Sequence, residues 1–193
     1  MEAIQVMFTA DQIARRVAEM GRQIDADYGD SVPLLIAVLK GAYVMMSDLS
    51  RAISVTHEVD FLQAASYGGH TTSSGSVRLV FDGKSEVRDR HVLLVEGVVD
   101  SGLTLSFLLD QLKRRSPASV RVATLLDKAP CRKIEVPLDY VGFRIGDEFV
   151  IGYGMHFQER YRNLPIVVQA DRATLAGDPD AYLDLYGKTL SGT

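Results

Sequence analysis

Two short runs without a polar residue, Leu34-Leu35-Ile36-Ala37-Val38-Leu39 and Val92-Leu93-Leu94-Val95, constrain this chain more than any other feature. A strand with one wet face alternates apolar and polar residues, and a strand covered on both faces has no reason to alternate. Such runs therefore predict doubly covered parallel strands. Val120 to Leu126 supplies a third strand, and helical stripes lie between the runs. Thr9 and Gln12 have capping-box spacing, and Ile13, Val17, Met20 and Ile24 follow at steps of three and four, which predicts a helix over 10–28 stopped by Gly29-Asp30. Val44, Met45, Leu49 and Ile53 mark a second helix over 42–53. Leu105, Leu108, Leu109 and Leu112 mark a third, stopped at Ser116-Pro117. Strand, helix, strand alternation of this kind implies right-handed crossovers and an α/β fold, an open and mostly parallel sheet flanked by helices on both faces. Ligands of such sheets collect at the carboxyl ends of the strands.

The remaining segments decorate that frame. Val59 to Ser66 and Val77 to Phe81 read as strands joined by the polar, Gly-rich stretch from Tyr67 to Ser76. A connection this long in a compact domain reads as a flexible lid loop, here 66–76. After Asp127-Lys128 come short strand candidates, Tyr140 to Ile145 and Phe149 to Tyr153, read as a small hood over 129–168. Tyr182, Leu183, Leu185 and Tyr186 allow the tail, 176–193, to dock as a short helix. A chain of 193 residues fits one domain spanning 1–193.

Several classes of function are disfavoured. The net charge of -4 provides no general field for nucleic acid, and the clusters Lys113-Arg114-Arg115 and Arg132-Lys133 are short enough to be solvated faces. Cys131 is the single cysteine, which precludes an intrachain disulfide and points to a reducing compartment. The longest apolar run, Val32 to Leu39, is too short to span a bilayer, and the expected location is the cytoplasm. Gly152-Tyr153-Gly154-Met155-His156-Phe157 lacks the third glycine of a dinucleotide fingerprint, and there is no Walker loop, zinc spacing or Gly-x-Ser-x-Gly elbow.

The chemistry is concentrated in Val92 to Thr104, which reads strand, loop, helix start. Gly97 and Gly102 let backbone N–H groups converge, Ser101 and Thr104 add hydroxyls, and the N-terminus of the next helix favours a phosphate. Glu96 and Asp100 indicate a second task beside the phosphate. They could grip ribose hydroxyls, organise Mg²⁺, accept a proton from an incoming base, or simply cap the loop. On the residues alone Lys40 reads equally well as a snorkelling lysine, Lys128 as a loop lysine, Phe149 as core and Arg162 as charged surface.

The thirteen residues from Val92 to Thr104 resemble the phosphoribosyl pyrophosphate signature of the type I phosphoribosyltransferases. Six further segments narrow the resemblance to the hypoxanthine-guanine branch. They are Val38-Leu39-Lys40-Gly41-Ala42, Ser66-Tyr67, Leu125-Leu126-Asp127-Lys128, Val141-Gly142-Phe143, Phe149 to Gly154, and Glu159-Arg160-Tyr161-Arg162-Asn163-Leu164-Pro165. The resemblance covers roughly 9–168. It implies transfer of a phosphoribosyl group from phosphoribosyl pyrophosphate to hypoxanthine or guanine, with Mg²⁺, in a homodimer or homotetramer. By the same resemblance Asp100 is the carboxylate near purine N7, Glu96 a ribose and possible metal contact, and Ser101, Gly102, Leu103 and Thr104 the 5'-phosphate loop. Lys40, Gly41 and Arg162 correspond to pyrophosphate contacts, and Ser66 and Tyr67 to the lid. Lys128 corresponds to the amine at the purine 6-oxo group, Phe149 to the stacking ring and Val150 to a backbone contact. The 42–53 helix is the candidate subunit interface.

Two positions depart from that pattern. Glu96-Gly97 stands where the family usually has Glu-Asp, and His156 where it usually has an aspartate. Both changes remove a carboxylate from the metal and ribose side, and a hard Mg²⁺ ion prefers oxygen ligands to His156. The alternative reading is thus a paralogue that binds nucleotides with attenuated or no turnover and has a regulatory role.

Overall fold

In the computed structural model, which describes residues 5–67 and 76–190, the first helix is α1 (Ala10–Tyr28), spanning 10–28 as expected. Its N-terminus is a complete capping box, since Thr9 accepts from the Gln12 N–H and the Gln12 side chain accepts from Thr9 N–H. A strand at 5–8, β1 (Gln5–Phe8), precedes it. Then follow β2 (Leu34–Leu39), α2 (Tyr43–Ala52), β3 (Glu58–Tyr67), β4 (Ser76–Phe81), β5 (His91–Val99), α3 (Leu103–Lys113), β6 (Ser119–Asp127), β7 (Tyr140–Arg144), β8 (Val150–Ile151) and β9 (Val167–Gln169). Two short helices close the chain, α4 (Arg172–Gly177) and α5 (Asp184–Leu190). Lid positions Ser66 and Tyr67 end β3, and 68–75 lie outside the described residues.

The main sheet has six strands in the order β4-β3-β2-β5-β6-β7. All neighbours pair in parallel except β3 and β4. The apolar runs occupy its centre: Leu34, Leu35, Ala37, Val92, Leu93, Leu94 and Val95 are all buried. Each run serves two cores because side chains alternate across a sheet. Leu35, Ala37, Leu93 and Val95 pack with α1 and α2, and Leu34, Ile36, Val92 and Leu94 pack with Leu105, Leu108, Leu109 and Leu112 of α3. No described helix is long and apolar enough to cross a membrane.

The hood differs from the sequence expectation. Tyr140–Arg144 does not belong to it and instead forms the parallel edge of the main sheet, where the Arg16 guanidinium donates to the Val141 and Gly142 carbonyls at 2.6 and 2.9 Å. The hood is a three-stranded antiparallel sheet, β1-β9-β8, so its outer strand comes from the beginning of the chain. A third apolar cluster fills it, built on Ile151, Tyr161, Leu164, Val168 and Leu175, with Leu185 of α5 docked against them.

Candidate active site

The chain leaves β2 through α2 to β3 on one side, and β5 enters on the other side of β2. Strand order therefore reverses between β2 and β5, and a crevice opens beyond their carboxyl ends. Lys40 follows β2, Asp100 follows β5, and Lys128 follows β6, the next strand over. The Lys128 N–H donates to the Val99 carbonyl at 2.9 Å, tying the last two ends together.

Strand β5 continues to Val99, so Glu96 is a strand residue in register with Thr124 and not part of the loop. The loop itself is tight. Gly102 has φ +82°, a left-handed conformation that disfavours any side chain, and a Cβ there would lie 2.4 Å from the Ile134 carbonyl oxygen. Helix α3 starts without a side-chain cap from its N-cap residue, and Ser101 Oγ accepts weakly from Leu103 N–H at 3.4 Å. The start of the helix borders a small cavity, about 130 Å³, lined by Glu96, Asp100, Ser101, Gly102 and Thr104. That arrangement suits an anion.

Arg132 holds this loop from behind, which corrects the reading of Arg132-Lys133 as a solvated face for Arg132, while Lys133 is exposed as expected. The Arg132 guanidinium forms a buried ion pair with Asp127 and donates to the Asp100 carbonyl at 2.6 Å. Lys133 N–H and Ile134 N–H both donate to the Ser101 carbonyl, at 2.9 and 3.1 Å. Asp100 is thereby fixed through its backbone while its side chain is exposed.

Beside the loop, Glu96 is half-buried, and its buried Oε2 has no hydrogen-bond partner among the described residues. Burial drives its pKa up to about 8, against a smaller opposing effect of the Gly97 N–H. The Gly41 carbonyl lies close to two glycines. A Cβ on Gly97 would sit 2.8 Å from that oxygen, and one on Gly154 would sit 2.2 Å from it. Gly97 therefore does more than lack a carboxylate; it admits the Lys40-Gly41 turn to close range.

On the far side of that turn, Lys40 Nζ donates to Glu159 Oε2 at 2.8 Å, and Arg162 Nη2 donates to Glu159 Oε1 at 2.9 Å. These two donors pull the Glu159 pKa down to about 2. Arg162 also donates to the Gly154 carbonyl at 2.6 Å. His156 Nδ1 accepts the Glu159 N–H at 3.0 Å. Burial, then the charges of Arg162 and Lys40, lower the His156 pKa despite Glu159, favouring the neutral ring that this hydrogen bond requires.

The third group of expected residues stands at the β6 end and in the hood. Lys128 is buried, and Cys131 lies close to both Lys128 and Asp100, its thiol pKa raised by burial first and by Asp100 second. Val150 is a hood strand residue paired with Gln169, its side chain in the core. One face of the Phe149 ring carries the Arg172 guanidinium, 4.5 Å from the centroid, and Phe157 meets its edge.

The phosphoribosyl transferase domain family matches residues 7–158 of this chain. The chain belongs to that family. Among its relatives, the hypoxanthine-guanine phosphoribosyltransferase of Mycobacterium avium is 47% identical over 172 residues, covering 86% of this chain and 85% of the relative. The enzyme of the same name from Bacillus subtilis is 42% identical over 163 residues, covering 84% and 91%. A crystal structure of a hypoxanthine-guanine phosphoribosyltransferase from Bacillus anthracis, with HEPES in its active site, superposes with a TM-score of 0.83 at 39% identity, covering 88% of this chain and all of that one.

A phosphoribosyltransferase substrate brings phosphate oxygens of its own, and that bears on the metal. Among the described residues no three His, Cys, Asp or Glu side chains converge. Mg²⁺ commonly takes one or two carboxylates and completes its shell with substrate phosphates and water. Glu96 Oε2, buried and without a partner among the described residues, is a protein oxygen that fits such an ion. His156 does not fit, because its Nδ1 is engaged by Glu159 N–H. Sequence reasoning missed Arg132 and Glu159. Arg132 carried no local signal beyond its neighbour, and Glu159 was visible only as the first residue of a family segment.

Proposed function

We propose that this phosphoribosyltransferase carries out purine salvage, transferring the phosphoribosyl group of phosphoribosyl pyrophosphate to N9 of hypoxanthine or guanine. The products are IMP or GMP and pyrophosphate. The observation that carries this reading is the placement of Lys40, the Asp100 loop and Lys128 at the ends of three adjacent parallel strands. One substrate lying across those ends would meet a cation, a phosphate cradle with a carboxylate, and a hydrogen-bond donor, in that order.

In this reading the 5'-phosphate sits on the Ser101-to-Thr104 backbone and the α3 N-terminus, and Glu96 faces the ribose. The C1'–O bond breaks with its electron pair leaving on pyrophosphate, whose charge Lys40 and Arg162 receive. The N9–C1' bond forms as the base loses a proton, and the exposed Asp100 carboxylate accepts it. Lys128 donates to the purine 6-oxo oxygen, while the Phe149 ring and the Val150 backbone hold the base. Glu96 would help hold a Mg²⁺ ion arriving with the pyrophosphate, and that ion would supply charge neutralisation. Ser66 and Tyr67 begin a lid that excludes water from the cationic ribose centre. A cytoplasmic homodimer or homotetramer with α2 at the subunit interface completes the reading.

Purified protein incubated with phosphoribosyl pyrophosphate and Mg²⁺ tests it. Hypoxanthine or guanine is converted to the mononucleotide, and adenine is left almost untouched, because its 6-amino donor would face the Lys128 donor. Comparable turnover of adenine would overturn the role of Lys128, and no turnover of any purine would favour the non-catalytic paralogue.

A further inference from the structure

Glu159 is held where an anionic substrate group is required. Its two carboxylate oxygens each take a different cation, Lys40 and Arg162, the pair assigned above to pyrophosphate. The contact is not a casual surface encounter, because the turn that delivers it is costly. Gln158, Glu159 and Tyr161 all have positive φ, +47°, +66° and +73°, in the left-handed region that non-glycine residues rarely occupy. His156 holds the turn by accepting the Glu159 N–H, and Phe157 and Arg160 close it as a β-bridge.

The occupancy is also incomplete. Glu159 takes only the Nη2 donor of Arg162, and Nε of the same guanidinium is buried without a partner among the described residues. The Nε–Nη2 edge of an arginine matches two oxygens of one phosphate group. Pyrophosphate would satisfy both donors and keep the Lys40 contact, so it makes a fuller set of bonds than the carboxylate does. The Glu159 side chain is 57% exposed and has open solvent into which to withdraw.

We propose that Glu159 is the resting occupant of the Lys40–Arg162 cation pair, an internal stand-in for pyrophosphate that the substrate displaces on binding and that returns when the product leaves. This rests on the assignment of Lys40 and Arg162 to pyrophosphate. Glu159 keeps the two cations positioned and neutralised between turnovers, weakening the grip on pyrophosphate and speeding its release. Because exposed ion pairs are individually weak, the displacement is easy and the effect moderate.

Calorimetric titration with inorganic pyrophosphate and Mg²⁺ at low ionic strength tests this on the whole protein. Glu159→Gln keeps the shape and removes the charge, and its Kd for pyrophosphate should fall roughly three- to tenfold, an advantage that shrinks as salt is added. Lys40→Met should raise the Kd at least tenfold, and in the Lys40→Met background the gain from Glu159→Gln should be cut to about half or less. An unchanged or higher Kd for Glu159→Gln, with Lys40→Met still weakened and the melting temperature unaltered, overturns the stand-in role and leaves the site reading intact. An unchanged Kd for both Lys40→Met and Arg162→Met overturns the assignment of the cations themselves. A variant that merely damaged the fold would bind more weakly, so tightening is a result that a structural role cannot produce.

Discussion

Replacing Gly97 probes a close backbone approach in the site. A Cβ at that position would lie 2.8 Å from the Gly41 carbonyl oxygen and 3.0 Å from its carbon, about 0.6 Å inside ordinary contact at 3.4 Å for the oxygen. Gly154 also approaches the same oxygen closely, since a Cβ there would lie 2.2 Å from it, which limits the room available to that carbonyl. Overpacking of this kind costs about 1–3 kcal/mol. If the Lys40-Gly41 turn absorbs the strain by shifting, the KM for phosphoribosyl pyrophosphate should rise roughly 5- to 150-fold. If the whole domain absorbs it, the melting temperature should fall by about 2–12 °C. Gly97→Ala isolates the steric term, and Gly97→Asp adds the carboxylate that the family usually carries there. Steady-state kinetics at varied phosphoribosyl pyrophosphate, with thermal melts of the same samples, distinguish the two responses. Wild-type KM and stability in Gly97→Ala, or a lower KM in Gly97→Asp, would refute the packing argument and show that the turn yields freely.

Three further perturbations follow from the geometry. Asp100→Asn should fold normally and bind nucleotide product while losing about 10²- to 10⁴-fold in turnover, and near-normal turnover would remove Asp100 from proton transfer. Glu96 is held with its pKa near 8, above its ordinary value of 4.5, so its contribution to stability is complete below about pH 4.5 and lost as pH rises toward 8. Relative to wild type, Glu96→Gln should therefore gain melting temperature progressively between those limits, and a pH-independent difference would contradict the burial argument. Arg132→Leu breaks a buried pair and leaves Asp127 without that partner, so denaturant unfolding should show a loss of about 3–5 kcal/mol, with turnover falling because Asp100 loses its backbone anchor. A loss below 1 kcal/mol would mean the pair is solvated.

What the sequence determined by itself was the local and periodic part of this protein. The capping box and apolar stripe of α1, the two-faced burial of Leu34–Leu39, and the strand, loop, helix order around Asp100 are short-range consequences of residue pattern, and the structure carries all three. Family segments supplied Lys40, Lys128 and Arg162 as candidates; the sheet order explains why Lys40 and Lys128 converge, since parallel strands bring their carboxyl ends to one edge, whereas Arg162 reaches Lys40 from the hood through Glu159. Pairing between remote segments was not legible. Nothing local tells Gln5–Phe8 to join β9, or Tyr140–Arg144 to extend the main sheet and not the hood, because a short amphipathic strand fits any available edge. Only the tertiary structure set Arg132 behind Asp100, Gly97 against the Gly41 carbonyl, and Glu159 on the Lys40 and Arg162 charges. Each of these depends on how closely two separate segments approach, which packing decides and residue type alone does not.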